Sequence, residues 1–251
     1  MQNDDHDEQL IKRYGELAGR AERTGAYAYS DFHSPSGAAL AYHVGGEGFV
    51  RLWGGQETSE RVMVRFGNPE EMGYDEDFPI VLIRIAPIQP KFADRLGHRD
   101  FLGAIMNLGI ERDVIGDVLV ADNSAYVFAC DRIAEFVCAE LTQVKHTPVR
   151  CEIMDEVPAE AAPRLVAETV TVSSLRLDGI ISHVYHLSRT EAKSKFAAEE
   201  VFVGGRACQR PEYEPGDGEV ISVRGHGKFI YEGVSRRTSK ERYAVRVSKY
   251  A

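Results

Sequence analysis

The chain has 251 residues, 43% hydrophobic and 27% charged, with a net charge of −9, the composition of a globular protein long enough for two or three domains. Such acidity excludes a protein that coats nucleic acid over its whole surface, but it is unevenly placed. Residues 171–251 hold 14 Lys+Arg against 10 Asp+Glu, a balance of +4, whereas residues 1–170 hold 16 against 29, or −13.

An acidic body with a basic C-terminal part is the pattern expected when one module touches phosphates. The four cysteines (Cys130, Cys138, Cys151 and Cys208) show neither C-x-x-C spacing nor neighbouring histidines. Reduced, buried thiols are expected, with no metal and no cofactor. The N-terminus is acidic and lacks an apolar core. No apolar run approaches the roughly 20 residues of a membrane span, so a cytoplasmic location is expected.

Residues 1–78 read as a first unit of mixed α/β character. Leu10, Ile11, Tyr14, Leu17 and Ala21 recur at helical spacing, and a short helix is expected over 38–43. Gly54-Gly55, then Glu60-Arg61 and the alternating Val62, Val64 and Phe66, predict a turn and a strand. His33 and His43 have no partner at metal-ligand spacing. The acidic, turn-rich stretch up to Phe78-Pro79, including Asp75-Glu76-Asp77, reads as a solvated boundary.

Residues 79–160 carry the clearest order. A strand is predicted over Ile80–Ile85, a helix over His98–Leu108 with Gly109 at its C-terminal cap, and strands at Asp117–Val120 and Tyr126–Ala129 joined by Asp122-Asn123-Ser124. A helix over Arg132–Val144 and a strand over Val149–Ile153 complete β-α-β-β-α-β, the order of a ferredoxin-like fold and of RNA-recognition modules. Tyr126 and Phe128 share a strand face without a surrounding basic motif, so packing is their expected role. His98-Arg99-Asp100 lacks the glycine loop, D-F-G and strand lysine of a kinase.

Glu156 to Pro163 reads as a hinge to a third unit over 171–251. Leu177, Ile180, Ile181, Val184 and Leu187 form an apolar helical stripe. Ser188-Arg189-Thr190-Glu191 fits a capping box, which explains Ser188 and Glu191. Arg189 opposes the helix dipole by a few tenths of a kcal/mol, so local stability does not account for it. The same helix start favours a phosphate that Arg189 would clamp, with Lys193 one turn on. Gly204-Gly205 predicts a hairpin, and Pro215-Gly216-Asp217-Gly218 a turn. Arg224-Gly225-His226-Gly227-Lys228 sets two cations around glycines, without a P-loop ending. Ser235-Arg236-Arg237-Thr238-Ser239-Lys240 is a basic turn.

The segments S-L-R-L-D (174–178), L-S-R-T-E-A (187–192), V-F-V-G-G (201–205) and P-G-D-G-E-V-I-S-V-R-G-H-G-K-F (215–229) resemble an S4 RNA-binding domain, an α-L fold. The ending R-G-x-G-K-F is similar to the YlmH family. So are H-R-D-F-L-G-A-I-M-N-L-G-I-E-R (98–112) with I-G-D-V-L-V (115–120), and G-G-x-x-x-x-E-R (54–61). The resemblance implies an α+β chain: an N-terminal α/β unit, a ferredoxin-like (RRM-like) middle domain that binds RNA, and a C-terminal S4 domain.

It also implies a bacterial, non-catalytic RNA-binding protein of ribosome-associated quality control. Its partners would be the ribosome and RNA, ribosomal RNA of the large subunit first and tRNA second, with cell-division proteins as a further class. By position, Arg176, Ser188, Arg189, Thr190, Lys193 and Arg224 would face RNA. Lys195, Lys228, Arg236 and Arg237 join them as candidate cations. Family members carry glycine where Glu199 stands, a basic residue where Glu200 stands, asparagine at Gly204 and an apolar residue at Lys195.

An S4-anchored RNA-modifying enzyme, a pseudouridine synthase or methyltransferase, is the alternative from another class. Its nucleophile would need a G-R-L-D setting, but the R-L-D at 176–178 lies inside the S4-like motif. No G-x-G-x-x-G follows a strand in 1–170. A cell-division adaptor is the third reading.

Overall fold

The structure, a computed structural model, describes residues 2–46, 48–162, 164–204, 206–237 and 241–250. Expectations at Pro163, Gly205 and Thr238–Lys240 lie outside the described residues. The chain forms two compact units, Met1–Ala162 and Pro163–Ala251. No helix among the described residues is long and apolar enough to cross a membrane.

The first unit begins with helix α1 (Gln2–Thr24), which buries Leu10, Tyr14, Ala18 and Ala21 on one stripe. Strand β1 (Ala28–Tyr29), helix α2 (Pro35–Ala39) with a 3-10 turn at Leu40–His43, and strands β2 (Val50–Trp53) and β3 (Met63–Phe66) follow. The strands form an antiparallel sheet in the order β1-β3-β2. Helix α3 (Pro69–Met72) leads into the acidic run, which is less idle than its solvation suggested. Asp75 holds the buried Arg65 at 2.6 Å, and the Arg65 guanidinium lies 4.3 Å from the Tyr27 ring centroid.

Strand β4 (Ile80–Pro87), helix α4 (His98–Met106), strands β5 (Ile115–Ala121) and β6 (Ser124–Cys130), helix α5 (Asp131–Glu140) and strands β7 (Gln143–Val144) and β8 (Thr147–Met154) give an antiparallel sheet ordered β5-β6-β4-β8-β7. The β5–β6 hairpin turns on Asp122 and Asn123, both with positive φ (46° and 61°), a conformation that asparagine and aspartate tolerate. Helix α5 stops short of the expected Val144. Leu141 leaves helical geometry at φ −81°, ψ 87°, and Val144 pairs with Thr147 in a hairpin whose tip, Lys145, has φ 52°. Both Leu141 and Val144 are still core residues, so their apolarity served a helix end and a strand rather than one longer helix.

One face of this sheet packs on α4 and α5. Its other face is covered from within the unit. Tyr126, Phe128 and Leu82 form a buried cluster with Phe32 and Met63. Gly55, at φ 99°, lies so close that an added Cβ would overlap the Phe128 ring, and a Cβ on Gly116 would stand 2.7 Å from the Phe32 ring. The motifs at 54–61 and 115–120 meet here. The Asp117 carboxylate accepts the Glu60 amide (2.6 Å) and the Arg61 amide (3.0 Å). The Arg61 guanidinium donates to the carbonyls of Phe32 (2.7 Å) and Ile115 (3.0 Å). Beside this seam an open cleft of about 540 Å³ is lined by Trp53, Gly55, Phe78, Phe128 and Ile153.

The second unit has a strand that periodicity did not announce, β9 (Leu165–Val172). Helices α6 (Leu177–Val184) and α7 (Arg189–Ala197) and strands β10 (Val201–Val203), β11 (Arg206–Ala207), β12 (Val220–Val223), β13 (Gly227–Arg237) and β14 (Tyr243–Tyr250) follow. The sheet runs β11-β10-β12-β13-β14-β9, with β9 paired to β14 over eight residues from Tyr243↔Val172 to Tyr250↔Leu165. Leu177, Ile180, Ile181, Val184, Ala192 and Phe196 bury the helices against Val201, Ile221, Phe229, Val245 and Val247. Leu187 sits past the end of α6 but remains packed on this core.

Candidate nucleic-acid interface

Ser188 is extended (φ −64°, ψ 155°). Its Oγ accepts the Glu191 amide at 3.2 Å, while Glu191 Oε2 accepts the Ser188 amide at 2.8 Å. The expected capping box is present, and the Ser188 hydrogen bonds hold the Glu191 carboxyl below its usual range, with His226 adding to the effect. The box fixes where α7 starts, and therefore where Arg189 and Thr190 emerge. Both are exposed, as is Lys193 one turn later. Neither Arg189 nor Lys193 pairs with any described carboxylate. The Arg189 guanidinium reaches toward α6, where a Cβ on Gly179 would lie 3.9 Å away.

The turn between β12 and β13 belongs to the same locality. The Arg224 amide donates to the Glu200 carbonyl at 2.9 Å, and the Arg224 guanidinium lies 5.8 Å from the Phe202 ring. His226 packs against Tyr185 at 5.6 Å. Gly225 and Gly227 take φ values of 82° and 106°, which only glycine adopts without strain. Arg189 and Lys193 thus stand at a helix N-terminus whose amides and dipole favour an anion, while Arg224 lies beside Glu200 and Phe202, past the other end of α7.

The remaining candidates divide. Arg176, preceding α6, is tied to the buried Asp178 (Nε to Oδ1, 3.1 Å), which also accepts the Gly179 amide. Its first task is therefore to neutralise a carboxylate that orders the helix start. Lys195 donates to Glu200 Oε2 at 2.7 Å, the main reason the Glu200 carboxyl sits below its usual range. Lys228 lies over the Tyr250 ring at 4.0 Å. Arg236 and Arg237 are at the far end of β13, roughly 25 Å along the strand from Lys228 at about 3.3 Å per residue. Arg237 stacks on Tyr243 at 4.9 Å. The fold gathers the cations of α7 and the 224–228 turn and leaves the 236–237 pair apart.

Sequence reasoning overlooked Lys249, which donates to the Val184 carbonyl at the end of α6 (3.1 Å) and lies 5.4 Å from the Tyr185 ring. Its place in an alternating strand was the available signal. Burial raises the Tyr185 hydroxyl pKa. Cys130 is buried, with a thiol pushed up to about 12 by desolvation, and the other three cysteines are free and partly buried. Among the described residues no cluster of three or more metal-ligating side chains occurs.

Residues 74–157 match a family model described as "Putative RNA-binding domain in YlmH". The chain is similar to the ribosome-associated protein quality control protein P2 of Bacillus subtilis (strain 168), at 27% identity over 229 residues, covering 86% of this chain and 84% of the relative. It is also similar to a solved structure, the cell division protein ylmH from Streptococcus pneumoniae. That likeness has 24% identity and a TM-score of 0.49, over 60% of this chain and 92% of that one. The match across the middle of the chain, and the alignment to the Bacillus relative over most of both sequences, both point to the same likeness, to YlmH-type proteins.

Proposed function

We propose that this protein is a non-catalytic RNA-binding protein of the ribosome, acting in quality control on the large subunit. In this reading it has three parts: residues 1–78, an RRM-like domain over 79–160, and an S4 domain over 171–251 that grips structured ribosomal RNA. Contact with tRNA and with cell-division proteins belongs to the same proposal. The observation that carries it is the pair Arg189 and Lys193 at the start of α7, exposed and without a described carboxylate partner. The Bacillus relative, named for ribosome-associated quality control, supports the ribosomal setting.

Contacts to the phosphate backbone dominate such binding and make it fall steeply with salt. Reversing Arg189 and Lys193 to glutamate should abolish most co-sedimentation with ribosomes and leave the thermal melt nearly unchanged, since both side chains are exposed. Undiminished co-sedimentation of the double variant would overturn the proposal.

A further inference from the structure

RNA-recognition sheets stack bases on exposed strand aromatics, but that route is closed here. Tyr126 and Phe128 are each only 4% exposed, beneath Phe32 and Met63. Residues 74–157 hold 8 Lys+Arg against 15 Asp+Glu, an unfavourable field for phosphates. One segment reverses that sign. Residues 88–99 contain Lys91, Arg95 and Arg99 against Asp94 alone, and none of the three cations pairs with a described carboxylate.

At the tip of this segment Phe92 is 85% exposed, with Ile88 60% exposed nearby. The loop that presents them is pinned. The Asp94 amide donates to Thr147 Oγ1 (2.8 Å), the Leu96 amide to Asn123 Oδ1 (2.7 Å), and Asn123 Nδ2 to the Asp94 carbonyl (2.8 Å). A ring held out in water on a fixed loop gains nothing for folding. The other half-exposed aromatics of 74–157 stand in acidic surroundings: Tyr74 precedes Asp75-Glu76-Asp77, and Phe136 follows Glu135. Phe92 alone combines exposure with cations on both sides.

We propose that Phe92 is a stacking platform for an unpaired base of the bound RNA, with Lys91 and Arg95 on the flanking phosphates. The inference rests on the RNA-binding reading and gives the middle of the chain a contact of its own. Aromatic stacking on a single base predicts a loss of about 5- to 150-fold in affinity when the ring is removed.

The test uses the full chain, titrated in filter binding against deproteinised ribosomal RNA and in co-sedimentation against whole ribosomes. Phe92→Ala should weaken both, Phe92→Trp should restore both, and neither should shift the melt. Wild-type affinity of Phe92→Ala for the RNA, in a protein whose Arg189→Glu/Lys193→Glu variant has lost it, would overturn this inference and leave the broader reading standing. A Phe92→Ala defect on ribosomes but not on deproteinised RNA would also overturn it, since the ring would then be meeting a protein.

Discussion

At the scale of single residues, the departures from the pattern of the family it resembles have separate physical origins. Lys195 and Glu200 answer each other: a cation in an apolar residue's place and an acid in a basic residue's place form one ion pair at 2.7 Å. The acid therefore subtracts less from the anion-binding locality than its charge suggests, because its partner is built in. Glu199 is not compensated in the same way. It ends α7 at φ 55°, a left-handed conformation that costs a side-chain-bearing residue about 1 kcal/mol, offset only by an exposed hydrogen bond from Gln209 at 2.6 Å. Glu199→Gly should stabilise the second unit by about 0.5–1 kcal/mol. A denaturant midpoint that falls instead would show that the Gln209 contact outweighs the strain.

At the scale of elements, the seam between β2–β3 and the five-stranded sheet depends on close backbone approach. Gly55 combines a positive φ with direct apposition to Phe128. Gly55→Ala should therefore destabilise the first unit by about 2–4 kcal/mol. Gly15→Ala, on the open side of α1, should be neutral or stabilising by up to about 1 kcal/mol; equal effects at the two glycines in thermal melts would refute the close-approach argument. This seam marks the limit of what the sequence disclosed. Strands β4 to β6, helix α4 and the α7 cap follow from local signals: apolar runs, helical periodicity, an Asp-Asn turn, and a serine three residues before a glutamate. That Gly54-Gly55 and Arg61 serve to roof Phe128 does not follow, because the partner lies far along the chain. Strand β9 was missed for a related reason: its exposed Leu165 and Val166 blur the alternation, and its evidence is the pairing with β14. Among the candidate cations, the helix start already singled out Arg189 and Lys193 in the sequence, whereas the carboxylate partners that occupy Arg176 and Lys195 appear only on folding.

At the scale of the whole molecule, the pH dependence of stability near neutrality comes from partly buried histidines, His33 first. His33 is largely buried. Its Nε2 has no described partner, and its ring meets Tyr14 edge-on at 5.7 Å. Desolvation lowers its pKa below the ordinary histidine value, with Arg61 and Arg13 reinforcing the shift and Asp31 and Asp113 opposing it. The unfolded chain then binds a proton near pH 6.5 that the folded chain refuses, so stability is full above that pH and lost as pH falls below it. The slope is at most about 1.4 kcal/mol per pH unit for this one proton. His98 shifts in the same direction, also through burial. Between pH 7.5 and 5.5 the melt of the first unit should fall, and His33→Phe should flatten much of that slope; an unchanged slope in the variant would remove His33 as the cause.

The cleft beside the seam gives the molecule a property its chemistry did not require. Trp53, the chain's single tryptophan, lines that cleft with Phe128 and is 38% exposed. All indole fluorescence therefore comes from one place in the first unit, and the second unit contributes none of it. Emission wavelength and quenching report whether the seam is open, while far-ultraviolet dichroism follows the whole chain. Loosening of this one joint can thus be told apart from global unfolding without adding a label.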